Sequence, residues 1–243
     1  METKAYPDVP EGAIGVYSPR GTYTVLHYRE GTSDLSTIGS TFRLWGKLED
    51  EYRLQHLYLG EGDVLVDIGS HIGTVAIAVL VDNPDARAIA VEPLAENVEV
   101  IAKSAEAAGV ADRLTILHAA IGPGKTADVS YGFDGDDNLR NHRFIGGMSL
   151  GLDSALLHSI VPTVSLRSLI KRAGGKIAAI KMDCEGCEWT VLEDKLIAKV
   201  PFIVGEGHAG DWLARTHACL DATHDITVLD DRGGPGTFLA IAR

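Results

Sequence analysis

The chain of 243 residues is 45% apolar, and its 34 acidic against 22 basic side chains give a formal net charge of -12. Such a chain is long enough to bury the core of one large domain, which excludes an overall disordered protein. The acidic balance argues against nucleic acid as a partner, because that affinity needs Lys and Arg concentrated on one face.

Cysteine content and hydropathy bear on the compartment. Three cysteines, Cys184, Cys187 and Cys219, are too few for a disulfide framework, and the first residues lack the apolar core of a signal peptide. Both features predict a cytoplasmic protein with reduced thiols. The longest apolar run, at residues 75–81, is far shorter than the roughly 18 to 20 residues of a membrane span, so we expect no membrane partner.

The first 60 residues predict a small N-terminal cap or extension, and residues 61–243 form the predicted main domain. Tyr23, Val25 and His27 alternate along the chain, which is typical of a strand. A helix is expected near residues 49–59. The cap is therefore predicted to be β-rich, with one helix leading into the main domain.

The main domain begins with short apolar runs that alternate with segments of helical periodicity. Residues 64–68, 87–92 and 114–121 are predicted strands, and residues 71–81 and 93–108 are predicted helices. Repetition of strand and helix predicts a parallel sheet with helices on both faces.

The second half of the chain continues this alternation less regularly. Its predicted strands are residues 127–131, 162–164, 177–183, 202–206, 226–229 and 237–241, and its predicted helices are residues 165–173, 188–196 and 211–220. The last two strands are expected to pair antiparallel across a glycine-rich turn. The polar, glycine-rich residues 132–151 predict an acceptor loop or a lid. The predicted fold is an α/β, Rossmann-like domain with a seven-stranded, mostly parallel sheet.

A candidate cofactor loop, Asp67-Ile68-Gly69-Ser70-His71-Ile72-Gly73, follows the first strand of the main domain, and the second strand ends in Glu92. Ligands of doubly wound sheets bind outside the carboxyl ends of the strands, where an acid can accept the ribose hydroxyls of an adenosine. The middle glycine of the dinucleotide fingerprint is absent, which disfavours a nicotinamide dehydrogenase. The alternative is that Gly69 and Gly73 only permit close strand–helix packing.

The charge of Asp67 indicates which nucleoside cofactor is expected. A carboxylate at this turn repels a pyrophosphate but attracts the sulfonium and ammonium groups of S-adenosyl-L-methionine. The residues predicted to bind this cofactor are Asp67, Gly69, Ser70, Gly73, Glu92, Pro93 and Ala119.

The loop also carries a family resemblance. Val66-Asp67-Ile68-Gly69-Ser70-His71-Ile72-Gly73 resembles the first motif of class I methyltransferases. Together with Ile180-Lys181-Met182-Asp183-Cys184-Glu185-Gly186-Cys187-Glu188 it resembles the FkbM family, whose second signature reads K-x-D-x-E-G-x-E. The resemblance runs roughly from residue 45 to 208 and includes the family's Glu-x-His, here Glu206-Gly207-His208. It implies methyl transfer from S-adenosyl-L-methionine, commonly to a hydroxyl of a sugar or secondary metabolite.

Five polar residues at two neighbouring strand ends are the candidate catalytic set: Lys181, Asp183, Glu185, Glu206 and His208. Asp183 is the first candidate for orienting or deprotonating the acceptor. His208 is the second, since its unperturbed pKa of about 6.5 suits a base near neutral pH. Structural alternatives are an ion pair of Lys181 with Asp183 or Glu206, and a helix-capping role for Glu185.

Other interpretations of the same region stay open. Asp183, Glu206 and His208 are also a candidate set for a divalent metal, which we do not favour because their spacing leaves the geometry undefined. Cys184 and Cys187 have no second pair, so a core or helix-entry role is favoured over a redox or zinc role.

The sequence therefore predicts an O-methyltransferase whose partner is a small-molecule or glycan acceptor. An N-methyltransferase and a non-catalytic module that binds S-adenosyl-L-methionine are the alternatives. A homo-oligomer is left open.

Overall fold

The computed structural model describes residues 9–42, 44, 50–132, 143–144, 157–208, 210–231 and 235–243. Within them the strands are β1 (Ala13–Tyr17), β2 (Tyr23–His27), β3 (Val64–Ile68), β4 (Arg87–Glu92), β5 (Leu114–His118), β6 (Ala120–Ile121), β7 (Thr126–Gly132), β8 (Arg143–Phe144), β9 (Leu157–Val164), β10 (Ala179–Met182), β11 (Phe202–Gly207), β12 (His224–Asp230) and β13 (Gly236–Ala242). The α-helices are α1 (Asp34–Thr41), α2 (Thr74–Asp82), α3 (Ala95–Ala107), α4 (Leu166–Arg172), α5 (Glu188–Leu192) and α6 (Trp212–Leu220).

The central sheet has seven described strands in the order β12-β13-β11-β10-β3-β4-β5. Strand β13 is antiparallel to β11 and β12, and the other neighbouring pairs are parallel. This arrangement confirms the predicted Rossmann-like fold. From β3 the chain proceeds through β4 to β5 and then returns to β10 on the other side of β3. The two directions diverge between β3 and β10, which is where such sheets bind ligands.

Side chains of the inner strands alternate between two hydrophobic layers, one on each face of the sheet. Leu65 of β3 and Ala88 of β4 belong to the layer under α2 and α3, whereas Val64 and Val66 belong to the layer under α4, α5 and α6. Because both faces of β3 are covered, its sequence is apolar apart from Asp67 rather than alternating. The period of two along the inner strands thus directs successive apolar side chains into one or the other of the two helical layers.

Several predicted helices and strands have different boundaries in the structure. The predicted helix 71–81 begins at Thr74, because Gly73 adopts a left-handed φ of 79° that ends the preceding turn. The predicted strand 114–121 divides into β5 and β6, and β6 leaves the central sheet to pair with β9. A second sheet, in the order β6-β9-β7-β8, results. The predicted helix 188–196 ends at Leu192 and is followed by a 3-10 helix, Lys195–Lys199.

The N-terminal hairpin is present as β1 and β2. The helix predicted near residues 49–59 is wrong over the described residues, which form only a short 3-10 helix, Leu54–His56. There the Asp50 carboxylate accepts from the N–H groups of Tyr52 and Leu54, so the side chain replaces helical partners. Helix α1 was not predicted. Most of the predicted acceptor loop at residues 132–151 lies outside the described residues.

The N-terminal segment packs directly on the main domain. The N–H of His27 donates to Ser104 Oγ on α3 at 2.9 Å, and Leu26 and Ile38 are buried in the same layer as α2. Among the described helices, none combines the length and hydrophobicity needed to cross a bilayer.

Candidate active site

The loop after β3 and the loop after β10 touch at Gly69. This residue has a left-handed φ of 70°, and a Cβ atom here would collide with the backbone carbonyl of Asp183. The Gly69 carbonyl also accepts from Lys181 Nζ at 2.8 Å. Only glycine therefore allows the predicted cofactor loop to lie against the acidic signature. A Cβ at Gly73 would come within 2.9 Å of Ile101 on α3, so close packing explains this glycine as well.

Asp67 lies beneath the cofactor loop and is fully buried. Its Oδ2 accepts from the N–H of Ala76, and its Oδ1 lies 3.4 Å from Lys181 Nζ. Burial alone would lower the pKa of Lys181, but the carboxylates of Asp67 and Asp183 outweigh it and the pKa is raised. The charge of Asp67 is thus balanced inside the protein by Lys181, rather than directed at a ligand as the sequence suggested.

Glu92 closes β4 with its carboxylate held by three donors. Oε2 accepts from the N–H of His71 at 2.8 Å, and Oε1 accepts from the N–H of Leu94 and from Asn97 Nδ2. Burial raises the pKa of Glu92 to about 7, although the donors oppose the shift. A carboxylate has about four acceptor positions, so one is left for a ribose hydroxyl. For the Glu92 carboxylate to accept from the second ribose hydroxyl as well, one of the three protein donors would have to move away from it.

The other predicted cofactor residues, Ser70, Pro93 and Ala119, lie in the loops that follow β3, β4 and β5. Ser70 is buried, and its hydroxyl donates to the Asp67 carbonyl at 2.8 Å within the turn. The N–H of Ala119 donates to the Glu92 carbonyl at 3.0 Å, and the Pro93 carbonyl lies 3.0 Å from a ring nitrogen of His118. These residues shape the turn, and their cofactor contacts stay predictions.

The acidic residues at the ends of β10 and β11 lie around the imidazole ring of His208. Its Nε2 lies 3.3 Å from Glu185, 3.5 Å from Glu206 and 3.9 Å from Asp183. On the other side of the ring, Nδ1 lies 2.8 Å from Glu188 Oε1. Four of the five predicted catalytic residues therefore meet around one imidazole, while Lys181 sits below them with Asp67.

These contacts set the protonation of the cluster. Burial lowers the pKa of His208, but the hydrogen bond and charge of Glu188, with the charges of Glu185 and Asp183, raise it to about 9. Burial and the charge of Asp183 raise the pKa of Glu206 to about 7. At neutral pH His208 is therefore an imidazolium and cannot accept a proton, in contrast to the reasoning from its unperturbed pKa. Glu206 has the pKa that suits a base.

Two residues of this cluster lie outside the candidate catalytic set drawn from the sequence. Glu188 is fully buried and its Oε1 accepts from the N–H groups of Cys184 and Gly186 as well as from His208, so it orients the imidazole. Tyr52 donates from its hydroxyl to Asp183 Oδ2 at 2.9 Å. The final Glu of the K-x-D-x-E-G-x-E signature could have identified Glu188, whereas no local pattern marks Tyr52.

Cys184 and Cys187 form a disulfide in the loop between Asp183 and Glu188, with Cα atoms 5.4 Å apart. The expectation of reduced thiols is wrong for this pair in the structure. The bond closes the loop, whose Glu185 has a left-handed φ of 56°. Cys184 is buried, as expected for a core role, and Cys219 is a free thiol.

The arrangement also defines a candidate ligand set for a metal ion. Ligand atoms of Asp183, Glu188 and His208 lie within 4.8 Å of one another. This set replaces Glu206 of the sequence-based set with Glu188. Because Glu188 Oε1 already accepts three hydrogen bonds, its observed contacts are those of a residue that orients His208.

Comparison with known proteins identifies one family. The model of the methyltransferase FkbM domain matches residues 67–224, which include both acidic strand ends and the glycine loop. No curated protein matches the chain.

Solved structures of methyltransferases are similar in overall shape. The FkbM methyltransferase of Methylobacillus flagellatus KT is 14% identical, with a TM-score of 0.48, over 78% of this chain and 46% of that one. The precorrin-6y C5,15-methyltransferase of Geobacter metallireducens is 15% identical, with a TM-score of 0.46, over 78% and 84%. The O-methyltransferase of Bacillus cereus, solved in complex with SAH, is 13% identical, with a TM-score of 0.44, over 74% of each chain. The chain spans less than half of the Methylobacillus protein.

Proposed function

Since the chain belongs to the FkbM methyltransferase family, we propose that it transfers the methyl group of S-adenosyl-L-methionine to a hydroxyl oxygen of a small molecule or glycan. The observation that carries this proposal is the juxtaposition of the β3 glycine loop with the acidic cluster, in which Gly69 packs against Asp183. Cofactor and acceptor would then meet outside the carboxyl ends of β3 and β10, where the chain proceeds in opposite directions through the sheet.

The residues present fit the proposed donor. Glu92 keeps one acceptor position for a ribose hydroxyl beside the glycine loop. The cluster around His208 holds more carboxylates than cations, which suits a ligand that carries a sulfonium and an ammonium group. When bound, S-adenosyl-L-methionine would supply an electrophilic methyl group on sulfur.

Two carboxylates of the acidic cluster, Asp183 and Glu206, have different roles in this proposal. Asp183 is held by Tyr52 and orients the acceptor hydroxyl, which is the proximity effect that methyl transfer needs most. Glu206 receives the hydroxyl proton, because its pKa of about 7 lets it exchange a proton at neutral pH. The imidazolium of His208 holds both carboxylates in place.

Transfer of isotopically labelled methyl to a panel of hydroxylated acceptors tests the proposal. The parent protein should label an acceptor, and fragmentation of the product should place the label on oxygen. The Asp183→Asn variant should bind S-adenosylhomocysteine with unchanged affinity but lose turnover. This function would be refuted if the parent protein bound NAD but not S-adenosylhomocysteine, or if Asp183→Asn kept full turnover.

Two alternatives predict different results in the same assays. An N-methyltransferase would place the label on nitrogen and depend less on Glu206, because an amine needs less assistance from a base. A binding module would hold the cofactor and label no acceptor. A divalent cation on Asp183, Glu188 and His208 would make turnover sensitive to EDTA and restorable by added metal, whereas the proposed proton transfer to Glu206 is insensitive.

A further inference from the structure

The N-terminal segment reaches the proposed ribose-binding acid through a chain of polar contacts that begins at the partly buried Arg29 and ends at the buried Glu92. The Arg29 guanidinium donates to both carboxylate oxygens of Asp34 at 2.9 Å, and its Nη2 also donates to Asn97 Oδ1 at 2.6 Å. Asn97 Nδ2 in turn donates to Glu92 Oε1 at 3.0 Å. Arg29 and Asp34 lie outside residues 67–224, which the family model matches.

Arg29 decides which way the Asn97 amide points. Because a guanidinium has only donors, the amide oxygen must face Arg29, and the amide N–H group must then face Glu92. Without Arg29 the amide is free to flip and to present its oxygen to the Glu92 carboxylate. That arrangement replaces a hydrogen bond by a repulsion inside a buried site.

Asp34 supports Glu92 by a second route. Its Oδ1 lies 3.7 Å from His71 Nε2, and the His71 backbone, at a left-handed φ of 50°, donates its N–H to Glu92 Oε2. Asp34 is fully buried between Arg29 and His71. The same carboxylate therefore holds the arginine that sets Asn97 and the loop residue that contacts the other oxygen of Glu92.

We propose that Arg29 and Asp34 are positioning residues for the cofactor ribose, acting on Glu92 through Asn97 and His71. The inference rests on the proposed function. Removing Arg29 lets Asn97 flip and turns the Glu92 carboxylate away from the ribose hydroxyl whose hydrogen bond it accepts. The loss should therefore be confined to ligands that carry the ribose hydroxyls.

A second arginine of the N-terminal segment provides a matched control. Arg20 contacts Asp82 on α2 through its backbone N–H and its guanidinium, and among the described residues its contacts lie away from the Glu92 network. Like Arg29→Met, Arg20→Met removes a guanidinium that links the N-terminal segment to the main domain, but the link runs to Asp82 rather than to Asn97.

The test measures calorimetric binding of S-adenosylhomocysteine and of its 2′,3′-dideoxy analogue. Arg29→Met should weaken S-adenosylhomocysteine binding about tenfold, the equivalent of one hydrogen bond to a charged group, and change binding of the analogue by less than about twofold. Arg20→Met should leave the ratio of the two affinities unchanged. In a Glu92→Gln background, Arg29→Met should have no further effect on that ratio.

Asn97→Ala provides a second variant that leaves the Arg29–Asp34 ion pair intact, and it decides the matter if Arg29→Met does not fold. It should show the same ribose-specific loss. Equal weakening of both ligands by Asn97→Ala, or an unchanged ratio in a folded Arg29→Met variant, would overturn the inference while the proposed function stands. If the parent bound neither ligand, the inference and the cofactor assignment would both fail.

Discussion

Glu92 and Glu206 are two acids at the same edge of the sheet, each with a pKa raised to about 7, yet their surroundings differ. Glu92 is buried and accepts from backbone and amide N–H groups. The Glu206 side chain is 26% exposed and lies beside the imidazolium of His208. The first environment suits the carboxylate proposed for recognition, and the second suits the carboxylate proposed to exchange a proton with a ligand. A shifted pKa alone does not distinguish these roles.

The largest expected effect is on kcat, which distinguishes the proposed base, Glu206, from the proposed ribose-binding acid, Glu92. Glu206→Gln should lower kcat by about 10² to 10⁴, because it removes the proposed base, and should leave the dissociation constant of S-adenosylhomocysteine unchanged. Glu193→Gln is the matched control, since that side chain is 58% exposed and pairs with Arg215. Initial rates with labelled methyl donor measure the effect. A Glu206→Gln enzyme with the parent kcat would assign the base elsewhere.

The next effect concerns the stability of the cluster around His208. Glu188→Ala removes a buried carboxylate that accepts from His208, Cys184 and Gly186, and should lower the free energy of unfolding by about 3 to 5 kcal/mol. Urea denaturation measures it, with Glu193→Ala as the exposed control. A loss below about 1 kcal/mol would mean that Glu188 does not hold the imidazolium.

A smaller effect follows from the protonation of His208. Its pKa is about 9 in the folded protein against about 6.5 when unfolded, so its contribution to stability is complete below about pH 6.5 and is lost as the pH rises to about 9. The loss should be about 1 to 3 kcal/mol, and His208→Gln should flatten this part of the curve. Urea midpoints between pH 6 and 9.5 measure it, and an equal slope in His208→Gln would contradict the assignment.

The smallest effect tests Glu92 by the pH dependence of binding. The carboxylate accepts from a ribose hydroxyl more strongly than the protonated acid does, so affinity for S-adenosylhomocysteine should rise by up to about tenfold per unit as the pH increases toward 7 and level off above it. Glu92→Gln should bind more weakly at pH 8 and lose this dependence. Calorimetry from pH 5.5 to 8 is the measurement, and a pH-independent parent would remove Glu92 from the ribose site.

The sequence by itself determined the architecture and the edge at which the site lies. β3, β4 and α3 are predictable because continuous apolar runs and a helical stripe leave few other ways to bury them. Parallel strands end at one edge, so Glu92, Asp183 and Glu206 could be grouped before any coordinates. Helix α1 escaped prediction and β6 was not separated from β5, because so few residues carry too weak a periodic signal.

Only the tertiary structure decided which groups touch and what charge they carry. Tyr52 and Asp183 are 131 residues apart, and Arg29 and Asn97 are 68 apart, so no local pattern links either pair. His208 changes from a candidate base to an imidazolium because four carboxylates from two strand ends converge on it. Burial and electrostatic neighbours set a pKa, and both exist only once distant segments of the chain have packed together.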